Sequence, residues 1–473
     1  MQNLSHKLVA ILGYGVEGKA VTTYLLKHGV KPTLFDVRPF NSFSLEEQQE
    51  VKRLGLNFIF GPDSIKELAG FDYAFRSPGW WRLDPGLLDA EKNGVTITSQ
   101  TKWFFEHCPA TIIGVTGTKG KGTTCSLIAN MLEQAKRGDK LEPGTINPET
   151  NVYVTGNIGK TPPLELLDQL TSSDTVVFEL SSFQLQDLTT SPHIAVVLGV
   201  TSEHLDHHSS LTEYKNAKQN ITKFQTSEDI AIINQDFPAS LEIGNVSPGT
   251  RLYFSRQEQV ATGGFMERAK LIVNNAYNRN LVFSLEHTLL RGKHNYENIA
   301  AATLCAVSLG VGTSAIQKII NEFKGLEHRL QLVGIVNAVA FYNDSFATIP
   351  ESTELAVSSF TEPIVLILGG SPKGSNFNPL AESLAHSPNV KSVILIGQEG
   401  ERIEAALMQA GFHGSIQNGA KSMREIFNQI SLSAQPGNVV LLSPACASYD
   451  MFKNYSDRGE QFTREVKNWG SEQ

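Results

Sequence analysis

The sequence predicts an α/β protein of three domains, each built around its own largely parallel β-sheet. Short apolar runs alternate with segments of helical periodicity, which is typical of βαβ units. The alternation restarts twice along the 473 residues, a length that suits about three domains of roughly 150 residues each. Hydrophobic residues make up 41% of the chain, which excludes disordered and fibrous classes of protein.

We expect the three domains to cover 1–108, 109–327 and 328–473. The apolar runs of the first domain predict strands over 8–12, 33–35 and 73–75, and the helical periodicity predicts helices over 18–27 and 45–54. The second domain is predicted to contain strands over 111–115, 175–178, 194–198 and 230–233, a helix after the first of these, and helices over 299–309 and up to 323. The third is predicted to contain strands over 332–336, 364–368, 393–396 and 439–442, with helices between them.

Charge and cysteine content exclude several function classes. The chain has 40 basic and 48 acidic residues, a net charge of −8, so it has no global basic field for a nucleic acid. Its four cysteines form no CxxC pair, which argues against a zinc knuckle or a disulfide framework and favours a reducing cytoplasm. The apolar run 8–12 is too short for a membrane span, so we expect no membrane insertion.

A first glycine motif follows the first predicted strand. Gly13, Gly15 and Gly18 form GxGxxG before a helix, and Asp36 ends the next strand at a spacing suited to a ribose hydroxyl. Glycines in such a turn let the backbone approach phosphate oxygens at the helix N-terminus. The pattern fits a dinucleotide site, a site for a different nucleotide, or a tight turn that binds nothing.

A second glycine-rich loop covers 114–124, GVTGTKGKGTT, again between a strand and a helix. Its glycines can point successive N–H groups inward as an anion nest, and Lys121 can reach the β- and γ-phosphates. The match to GxxxxGK[ST] is imperfect, since Val115 replaces the first glycine and Gly122 replaces the hydroxyl residue. The alternative is a glycine-rich surface turn with solvated lysines.

Polar residues follow two more predicted strands of the second domain. Glu179 ends one apolar strand, and His204 and Asp206 follow another. Ligands bind at the carboxyl edge of parallel sheets, which favours a functional role over a solvated surface carboxylate or a polar loop. From the residues alone, Lys218 reads as a solvated lysine on a helix.

Ordered motifs along nearly the whole chain resemble those of the Mur ligases, the ATP-dependent ligases of peptidoglycan assembly. Besides the 114–124 loop, the motifs are GNIG at 156–159, ELSSFQL at 179–185, EHLD at 203–206, Lys218, GKHNYEN at 292–298, His328-Arg329, NDS at 343–345, GGSPK at 369–373 and LSPACAS at 442–448. The resemblance implies a Rossmann-like N-terminal domain for a UDP-sugar, a P-loop ATPase-like central domain for ATP and a Rossmann-like C-terminal domain for glutamate.

Residues that match the family motifs inherit expected roles. The resemblance implies catalysis by Lys121, Glu179, His204 and Lys218, and two Mg²⁺ ions held by Thr123, Glu179, His204 and Lys218, the last as a carbamate. It implies ATP contacts from Gly117, Thr118, Lys119, Gly120, Lys121, Gly122, Thr123, Thr124, Asn295, Asn298, Arg329 and Asp344. It implies UDP-sugar contacts from Val16, Glu17, Asp36, Ser77, Pro78, Gly79 and Asn157, and glutamate contacts from Thr348, Lys373, Ser448 and Tyr455.

The implied activity is the joining of D-glutamate to UDP-N-acetylmuramoyl-L-alanine through an acyl phosphate, in the cytoplasm and by a monomer. Three residues depart from the family pattern: Gly122 lacks a hydroxyl, Phe346 stands where a lysine is usual, and Tyr455 stands where a phenylalanine is usual. The segment 343–351 also resembles a branch that adds L-glutamate, so the enantiomer stays open. The other hypotheses are an NAD-dependent oxidoreductase, based on GxGxxG, and a nucleotide-binding protein without catalysis.

Overall fold

The computed structural model describes Leu4 and residues 6–136, 149–158, 161–201, 210–274 and 280–469. The chain divides into two units. The first unit comprises Met1–Ser284 and Glu297–Ile319, and the second comprises Leu285–Tyr296 and Ile320–Gln473. The described strands of the first unit form two sheets, and those of the second unit form one. The α/β class predicted from the sequence is therefore confirmed.

The N-terminal sheet has five parallel strands in the order β3-β2-β1-β4-β5. Its strands are β1 (Val9–Leu12), β2 (Thr33–Asp36), β3 (Phe58–Phe60), β4 (Tyr73–Arg76) and β5 (Thr96–Thr98). Its helices are α1 (Val16–Lys27), α2 (Leu45–Leu54), α3 (Pro85–Lys92) and α4 (Gln100–His107), and short 3₁₀ helices cover Phe40–Ser42 and Ser64–Leu68. The three predicted strands and two predicted helices of this region are confirmed.

The first glycine turn is required by close packing. Gly13 has φ +92°, and a Cβ on Gly18 would lie 2.0 Å from the carbonyl oxygen of Gly13. A side chain at Gly18 would therefore push α1 away from β1. The GxGxxG pattern has a structural cause here that is independent of any ligand.

The central sheet has nine strands in the order β14-β13-β12-β11-β10-β9-β6-β8-β7. Its strands are β6 (Thr111–Thr116), β7 (Val152–Gly156), β8 (Thr175–Glu179), β9 (Ile194–Val197), β10 (Ile230–Asn234), β11 (Thr250–Ser255), β12 (Gly263–Glu267), β13 (Lys270–Asn274) and β14 (Asn280–Ser284). All neighbours pair in parallel up to β12, and β13 and β14 add an antiparallel edge. The helices are α5 (Lys121–Lys136), α6 (Pro163–Leu167), α7 (Ser182–Leu185), α8 (Leu211–Gln219), α9 (Pro238–Gly244), α10 (His294–Ser308) and α11 (Thr313–Glu322).

The sheet of the second unit has six strands in the order β15-β16-β20-β17-β18-β19. Its strands are β15 (Gln331–Val336), β16 (Val339–Asn343), β17 (Ile364–Gly369), β18 (Val390–Ile396), β19 (Ser415–Ala420) and β20 (Val439–Leu442). Only the β15–β16 pair is antiparallel. The helices are α12 (Pro350–Val357), α13 (Asn378–Ala385), α14 (Gly400–Gln409), α15 (Met423–Ser433) and α16 (Tyr455–Trp469).

The two sheets of the first unit share one hydrophobic core. Phe104 and Phe105 on α4 pack against Phe178 on β8, with ring centroids 5.5 and 5.6 Å apart. Because buried aromatic side chains contribute roughly 1.5–3 kcal/mol each, this contact joins the two sheets firmly. The predicted domain boundaries at 108 and 327 remain predictions.

Among the helices that the structure describes, none combines the length and the apolar character that a membrane span needs. The longest, α5, has 16 residues.

Candidate functional site

The carboxyl ends of four parallel strands meet at one edge of the central sheet. Val115 on β6 pairs with Glu179 on β8, and Glu179 pairs with Gly156 on β7. This register brings three predicted features to the same edge: the phosphate loop after β6, the carboxylate of Glu179, and Asn157, which is exposed just after β7. Glu179 is only 8% exposed. Glu179 therefore lies at the carboxyl edge of the central sheet, as the sequence predicts.

The conformation of the phosphate loop requires glycine at two positions, and a backbone hydrogen bond holds the loop in place. Gly117 has φ +155° and Gly120 has φ +86°, and a Cβ on Gly120 would lie 2.2 Å from Oδ1 of Asn298. The N–H of Thr118 donates to the carbonyl of Gly199 at 2.9 Å, which ties the loop to the segment after β9. The loop therefore keeps the open, glycine-dependent shape of an anion nest.

Lys121 begins α5 and folds its side chain over the loop. Its Nζ donates to the carbonyls of Gly117 and Thr118 at 3.1 and 3.0 Å. Gly122 and Thr123 lie in the same first turn of α5, and Thr124 donates from Oγ1 to Oδ1 of Asn298 at 3.3 Å. The sequence-predicted residues 117–124 thus form one compact cluster with Asn298 of α10.

Lys218 is buried, so its reading as a solvated helix lysine was wrong. It is 2% exposed, and its Nζ donates to Oγ1 of Thr116 at 3.1 Å and to the carbonyl of Gly117 at 3.3 Å. Burial, together with the charge of Lys121, holds the pKa of Lys218 well below its ordinary value. The polar composition of α8 hid this, because the sequence does not reveal that Lys218 lies at the sheet edge next to the phosphate loop.

The proposed metal ligands are only partly covered by the structure. His204 and Asp206 lie outside the described residues. Within the described ranges, no cluster of three or more His, Cys, Asp or Glu side chains stands out as a metal site. The donors that are described, the carboxylate of Glu179 and the hydroxyl of Thr123, are hard oxygen ligands of the kind that suits Mg²⁺.

Asn295 lies one turn before Asn298 on α10. Its Nδ2 donates to the carbonyl of Arg291 at 2.6 Å. Asn295 belongs to the second unit by its contacts, and Asn298 belongs to the first. The two predicted ATP residues of this helix therefore have different local partners.

In the second unit, Asp344 follows β16 and is buried. Its Oδ1 accepts from the N–H of Leu330 at 3.0 Å and its Oδ2 accepts from Oγ of Ser443 at 2.8 Å. Burial raises the pKa of Asp344 to about 7, although the two hydrogen bonds and the charge of Arg329 oppose the rise. Arg329 is exposed, and its guanidinium lies 3.9 Å from the ring centroid of Phe346.

The four predicted glutamate residues also lie in the second unit. Nζ of Lys373 donates to Oγ1 of Thr348 at 3.4 Å, so these two are neighbours. Ser448 is buried, and Tyr455 is partly exposed at the start of α16. The carbonyl of Tyr455 accepts from Oγ of Ser345 at 2.7 Å.

A buried guanidinium beneath this region was missed by the sequence analysis. Arg458 is fully buried on α16 and donates to Oγ and the carbonyl of Ser345 at 2.9 and 2.8 Å. It also donates to the carbonyls of Cys446 and Ala447 at 3.1 and 3.3 Å. Burial lowers the pKa of Arg458 to about 10. Arg458 therefore connects the segments that precede two of the predicted glutamate residues, Thr348 and Ser448.

At the N-terminal sheet, the carboxylate of Asp36 is fully engaged by donors of the chain. Its oxygens accept from the N–H of Tyr14, from the N–H of Arg38 and from Nε and Nη2 of the Arg38 side chain, at 2.8–3.0 Å. A carboxylate offers about four acceptor positions, and these four bonds use them. The arrangement disfavours the dinucleotide hypothesis, in which Asp36 must also accept from ribose hydroxyls.

The other predicted UDP-sugar residues lie along the carboxyl edge of the N-terminal sheet. Val16 is exposed at the start of α1, and Ser77, Pro78 and Gly79 follow β4. Oγ of Ser77 donates to the carbonyl of Gly13 at 3.1 Å, which joins the β4 turn to the glycine turn. Two of the turns that the sequence singled out are therefore in contact.

Glu17 and Arg76 connect the N-terminal sheet to the segment that follows β8. Burial raises the pKa of Glu17 to about 7, and its Oε1 accepts from Nε2 of Gln184 at 3.3 Å. Arg76 donates from Nε and Nη2 to Oδ2 of Asp187, at 2.9 and 2.6 Å, and from Nη2 to the carbonyl of Phe183. Arg76 and Asp187 were missed, because nothing in the sequence pairs residues 111 positions apart.

Two family models match this chain. Residues 115–306 match the model of the Mur ligase middle domain, and residues 328–446 match that of the Mur ligase glutamate ligase domain. A UDP-N-acetylmuramoylalanine--D-glutamate ligase of Acetivibrio thermocellus is 35% identical over 99% of this chain and 97% of its own length. A protein of the same name from Symbiobacterium thermophilum is 35% identical over 96% of each chain.

Solved structures resemble the fold of the whole chain. The UDP-N-acetylmuramate-alanine ligase MurC of Thermotoga maritima has a TM-score of 0.57 at 18% identity, covering 98% of this chain and 100% of its own. A UDP-N-acetylmuramoylalanyl-D-glutamyl-2,6-diaminopimelate--D-alanyl-D-alanyl ligase of Acinetobacter baumannii has a TM-score of 0.55 at 15% identity, covering 99% and 92%. At these identities the likeness concerns the fold alone.

Proposed function

The chain belongs to the Mur ligase family, and on that premise we propose that it joins D-glutamate to UDP-N-acetylmuramoyl-L-alanine with consumption of ATP. The relatives named for this reaction match 96–99% of the chain. The observation that carries the proposal in the structure is the cluster at the central sheet edge, where the phosphate loop, Glu179 and buried Lys218 lie together.

The reaction must activate a carboxylate, because a carboxylate in water is a poor electrophile for an amine. Transfer of the γ-phosphoryl group of ATP to the carboxylate of the precursor gives an acyl phosphate and ADP. The amine of glutamate then attacks the acyl carbon, phosphate leaves, and the amine loses a proton to give the amide. Phosphoryl transfer of this kind depends mainly on positioning and on charge neutralisation.

We assign phosphate binding to the 117–124 loop. Its N–H groups bear partial positive charge, Lys121 bears a full charge, and Nζ of Lys121 donates to the carbonyls of Gly117 and Thr118 in the loop. In this proposal its ammonium exchanges those carbonyls for phosphate oxygens. Asn295, Asn298, Arg329 and Asp344 are proposed as the remaining ATP contacts.

We propose that Thr123, Glu179, His204 and Lys218 hold two Mg²⁺ ions. Mg²⁺, when bound, would neutralise the charge that develops on the transferred phosphoryl group. Glu179 contributes a carboxylate and Thr123 a hydroxyl, and both residues lie at the carboxyl edge of the central sheet. Gly122 offers no hydroxyl, so Thr123 is the nearest such group after Lys121.

The proposed carbamate on Lys218 follows from its surroundings. A buried amine whose pKa is well below the ordinary value has a free lone pair, and this lone pair can add to the carbon of CO₂. The new N–C bond forms as one C=O bond becomes C–O⁻, and the nitrogen releases a proton. The product places an anionic oxygen ligand where the side chain had a neutral amine, which suits a site for divalent metal.

The remaining substrates are proposed to use the two outer parts of the chain. We assign the UDP-sugar to 1–108 together with Asn157, glutamate to 328–473, and ATP mainly to 109–327. Lys373, Thr348 and Ser448 offer a cation and two hydroxyls for the carboxylates of glutamate, and Tyr455 offers an aromatic wall. We further propose that the enzyme acts as a monomer in the cytoplasm, and the free state of Cys108, Cys125, Cys305 and Cys446 supports a reducing compartment.

The decisive assay is phosphate release from ATP and Mg²⁺ with UDP-N-acetylmuramoyl-L-alanine and either D-glutamate, L-glutamate or no amino acid. We expect release that depends on both the precursor and D-glutamate. Release with L-glutamate alone would redirect the proposal to the other enantiomer. No release with either enantiomer, at varied Mg²⁺ and bicarbonate, would contradict ligase activity.

A further inference from the structure

We propose that Phe346 is a positioning residue that holds the guanidinium of Arg329 by its flat face and leaves its N–H donors available for the phosphates of ATP. The inference rests on the proposed function, in which Arg329 contacts ATP. It gives a role to a residue that departs from the family pattern, since Phe346 stands where a lysine is usual.

The contact between the two side chains is close and face-on. The Cζ atom of Arg329 lies 3.9 Å from the centroid of the Phe346 ring, well within the range of a cation–π interaction. Over the part of the chain that the structure describes, the guanidinium of Arg329 has no hydrogen bond and no ion pair. The five N–H donors of arginine lie in the guanidinium plane, so a ring on its face leaves all of them unused.

Asp344 interacts electrostatically with Arg329, but within the described residues no hydrogen bond or ion pair joins the two side chains. Oδ1 of Asp344 already accepts from the N–H of Leu330, and Oδ2 accepts from Oγ of Ser443. Both oxygens of the carboxylate thus accept from other groups of the second unit, and the fork of donors on Arg329 is left for another anion.

The backbone on which the ring is carried is fixed on both sides. The N–H of Phe346 donates to the carbonyl of His328, the residue before Arg329, at 2.9 Å. On the other side, Arg458 donates from Nε to Oγ of Ser345 at 2.9 Å and from Nη2 to its carbonyl at 2.8 Å. The spacing between the backbones that carry the ring and the guanidinium is thus set by hydrogen bonds that do not involve these two side chains.

A second aromatic residue also contacts the ring. Tyr455 meets Phe346 edge-to-face, with centroids 5.1 Å apart and an interplanar angle of 89°. Tyr455 also meets the imidazole of His328 edge-to-face at 6.2 Å. Two of the three residues that depart from the family pattern, Phe346 and Tyr455, therefore contact each other, and Phe346 also contacts Arg329.

The chemistry of the alternatives favours a ring at this position. A carboxylate would form a bidentate pair with Arg329 and consume the donors that phosphate needs. An ammonium at this distance would repel the guanidinium. A neutral aromatic face attracts the cation and leaves its edge free.

The competing interpretation is that Phe346 contacts glutamate directly, since it touches Tyr455. The two interpretations differ in the substrate whose binding is impaired. Loss of a positioning ring weakens ATP binding, whereas loss of a glutamate contact weakens glutamate binding.

The test compares Phe346→Leu, Phe346→Tyr and the matched control Phe412→Leu in the full chain. Phe412 is a half-buried ring of the second unit for which the described residues include no cation contact. We expect Phe346→Leu to raise KM for ATP and the Kd of Mg·ADP by about three- to tenfold, with KM for glutamate unchanged. Phe346→Tyr, which keeps the ring, should retain wild-type values, and so should Phe412→Leu.

A double-mutant cycle with Arg329→Lys separates positioning from general damage. Lysine keeps the charge but loses the flat face, so Phe346→Leu should add little to the Kd of Mg·ADP in that background. Equal effects of Phe346→Leu in both backgrounds, or a rise in KM for glutamate alone, would overturn the proposal.

Measurements on the wild-type chain separate failure of the proposed ligase activity from failure of the role proposed for Phe346. Calorimetry with Mg·ADP reports the Phe346 contribution even if no amino acid is ligated, so absence of turnover contradicts the proposed function only. Normal turnover with an unchanged Kd in Phe346→Leu contradicts only the role of Phe346. A wild-type chain that does not bind Mg·ADP would overturn both.

Discussion

Lys218 illustrates, at the scale of one residue, how burial changes the chemistry of a side chain. A solvated lysine is an ammonium at neutral pH, but Lys218 is 2% exposed and lies within 3.3 Å of the carbonyl of Gly117. The sequence marked Lys218 only by resemblance to a family, because the short polar helix α8 gives no periodic cue to which of its faces is buried. Burial beside the phosphate loop is the physical observation that supports the carbamate proposed for Lys218.

We expect Lys218→Ala to lower turnover by at least about 100-fold, since even outer partners of metal ligands are worth about 10–100-fold. Short carboxylates such as formate or acetate should restore part of the activity, because they can occupy the place of the carbamate oxygens. Lys218→Arg serves as the control that keeps a cation but cannot be carbamylated, and no rescue is expected from it. Near-normal turnover of Lys218→Ala would contradict the assigned role.

Asp344 predicts a pH dependence of stability. Its folded pKa of about 7 lies above the ordinary value of 3.8, so between these pH values the folded state binds the extra proton. The contribution of this group to folding is therefore fully present below about pH 4 and is lost as pH rises toward 7, a change on the order of a few kcal/mol.

Denaturant unfolding of Asp344→Asn and wild type from pH 5 to 7.5 checks this expectation. The difference in free energy of unfolding should shift in favour of Asp344→Asn as pH rises. Asp457→Asn is the control, because the pKa of partly exposed Asp457 is lowered from 3.8, so this carboxylate does not titrate in the range tested. A pH-independent difference for Asp344→Asn would show that Asp344 is ionised throughout.

At the scale of elements, the segment from Glu179 to Asp187 serves two sites. It begins at the carboxyl end of β8, forms the short helix α7 with a capping box between Ser181 and Gln184, and ends at the carboxylate that holds Arg76. One continuous stretch therefore positions a proposed metal ligand and contacts the proposed UDP-sugar residue Glu17. A shift at one end of this stretch is transmitted through a fully bonded helix turn.

Asp187→Ala should destabilise the first unit by about 3–5 kcal/mol, since it leaves the buried guanidinium of Arg76 without its carboxylate. The matched control is Asp168→Asn, which removes the partly exposed pair of Asp168 with Lys27 and His28 that also joins α1 to the central region. We expect a loss of no more than about 1 kcal/mol from this control. Chemical denaturation measures both, and similar losses would argue against a special role for the buried pair.

The sequence predicted elements well where apolar runs were continuous and less well elsewhere. Strand β8, with five buried residues, was located to within one residue, whereas β12 and β13 were missed. Gly263 and Gly264 both lie in β12, where a Cβ on Gly263 would collide with Tyr253. The need for glycine at this position comes from a neighbour on another strand. Local strand propensity carries no information about that neighbour.

At the scale of the whole molecule, the alternation of strands and helices correctly predicted three sheets, but the sequence could not show how the sheets group. The contact of Phe104 and Phe105 with Phe178 joins the first two sheets into one unit, and these partners are more than 70 positions apart. Arg458 and Ser345, which anchor α16, are separated by 113 positions. Pairings over such distances arise from the fold and leave no local pattern.

The division into two units predicts which part of the chain each substrate protects. The proposed UDP-sugar residues all lie in the first unit, and the proposed glutamate residues all lie in the second. At 100 times its Kd, UDP-N-acetylmuramoyl-L-alanine should stabilise the first unit by about 2.7 kcal/mol. Hydrogen–deuterium exchange should then slow in peptides of 6–136 and 149–201, with UDP alone as the control for the sugar and peptide parts. Protection confined to 320–469 would contradict the assignment.

The four thiols have a practical consequence for studying motion in this protein. Cys125, Cys305 and Cys446 are buried, Cys108 is half-buried, and burial raises the pKa of each, to about 11 for Cys108 and about 12 for Cys446. The thiolate is the form of cysteine that attacks alkylating reagents, so the native cysteines should react slowly near neutral pH. A cysteine introduced at an exposed position such as Met408 or Leu432 should therefore accept a fluorophore or spin label selectively, without first removing the native ones.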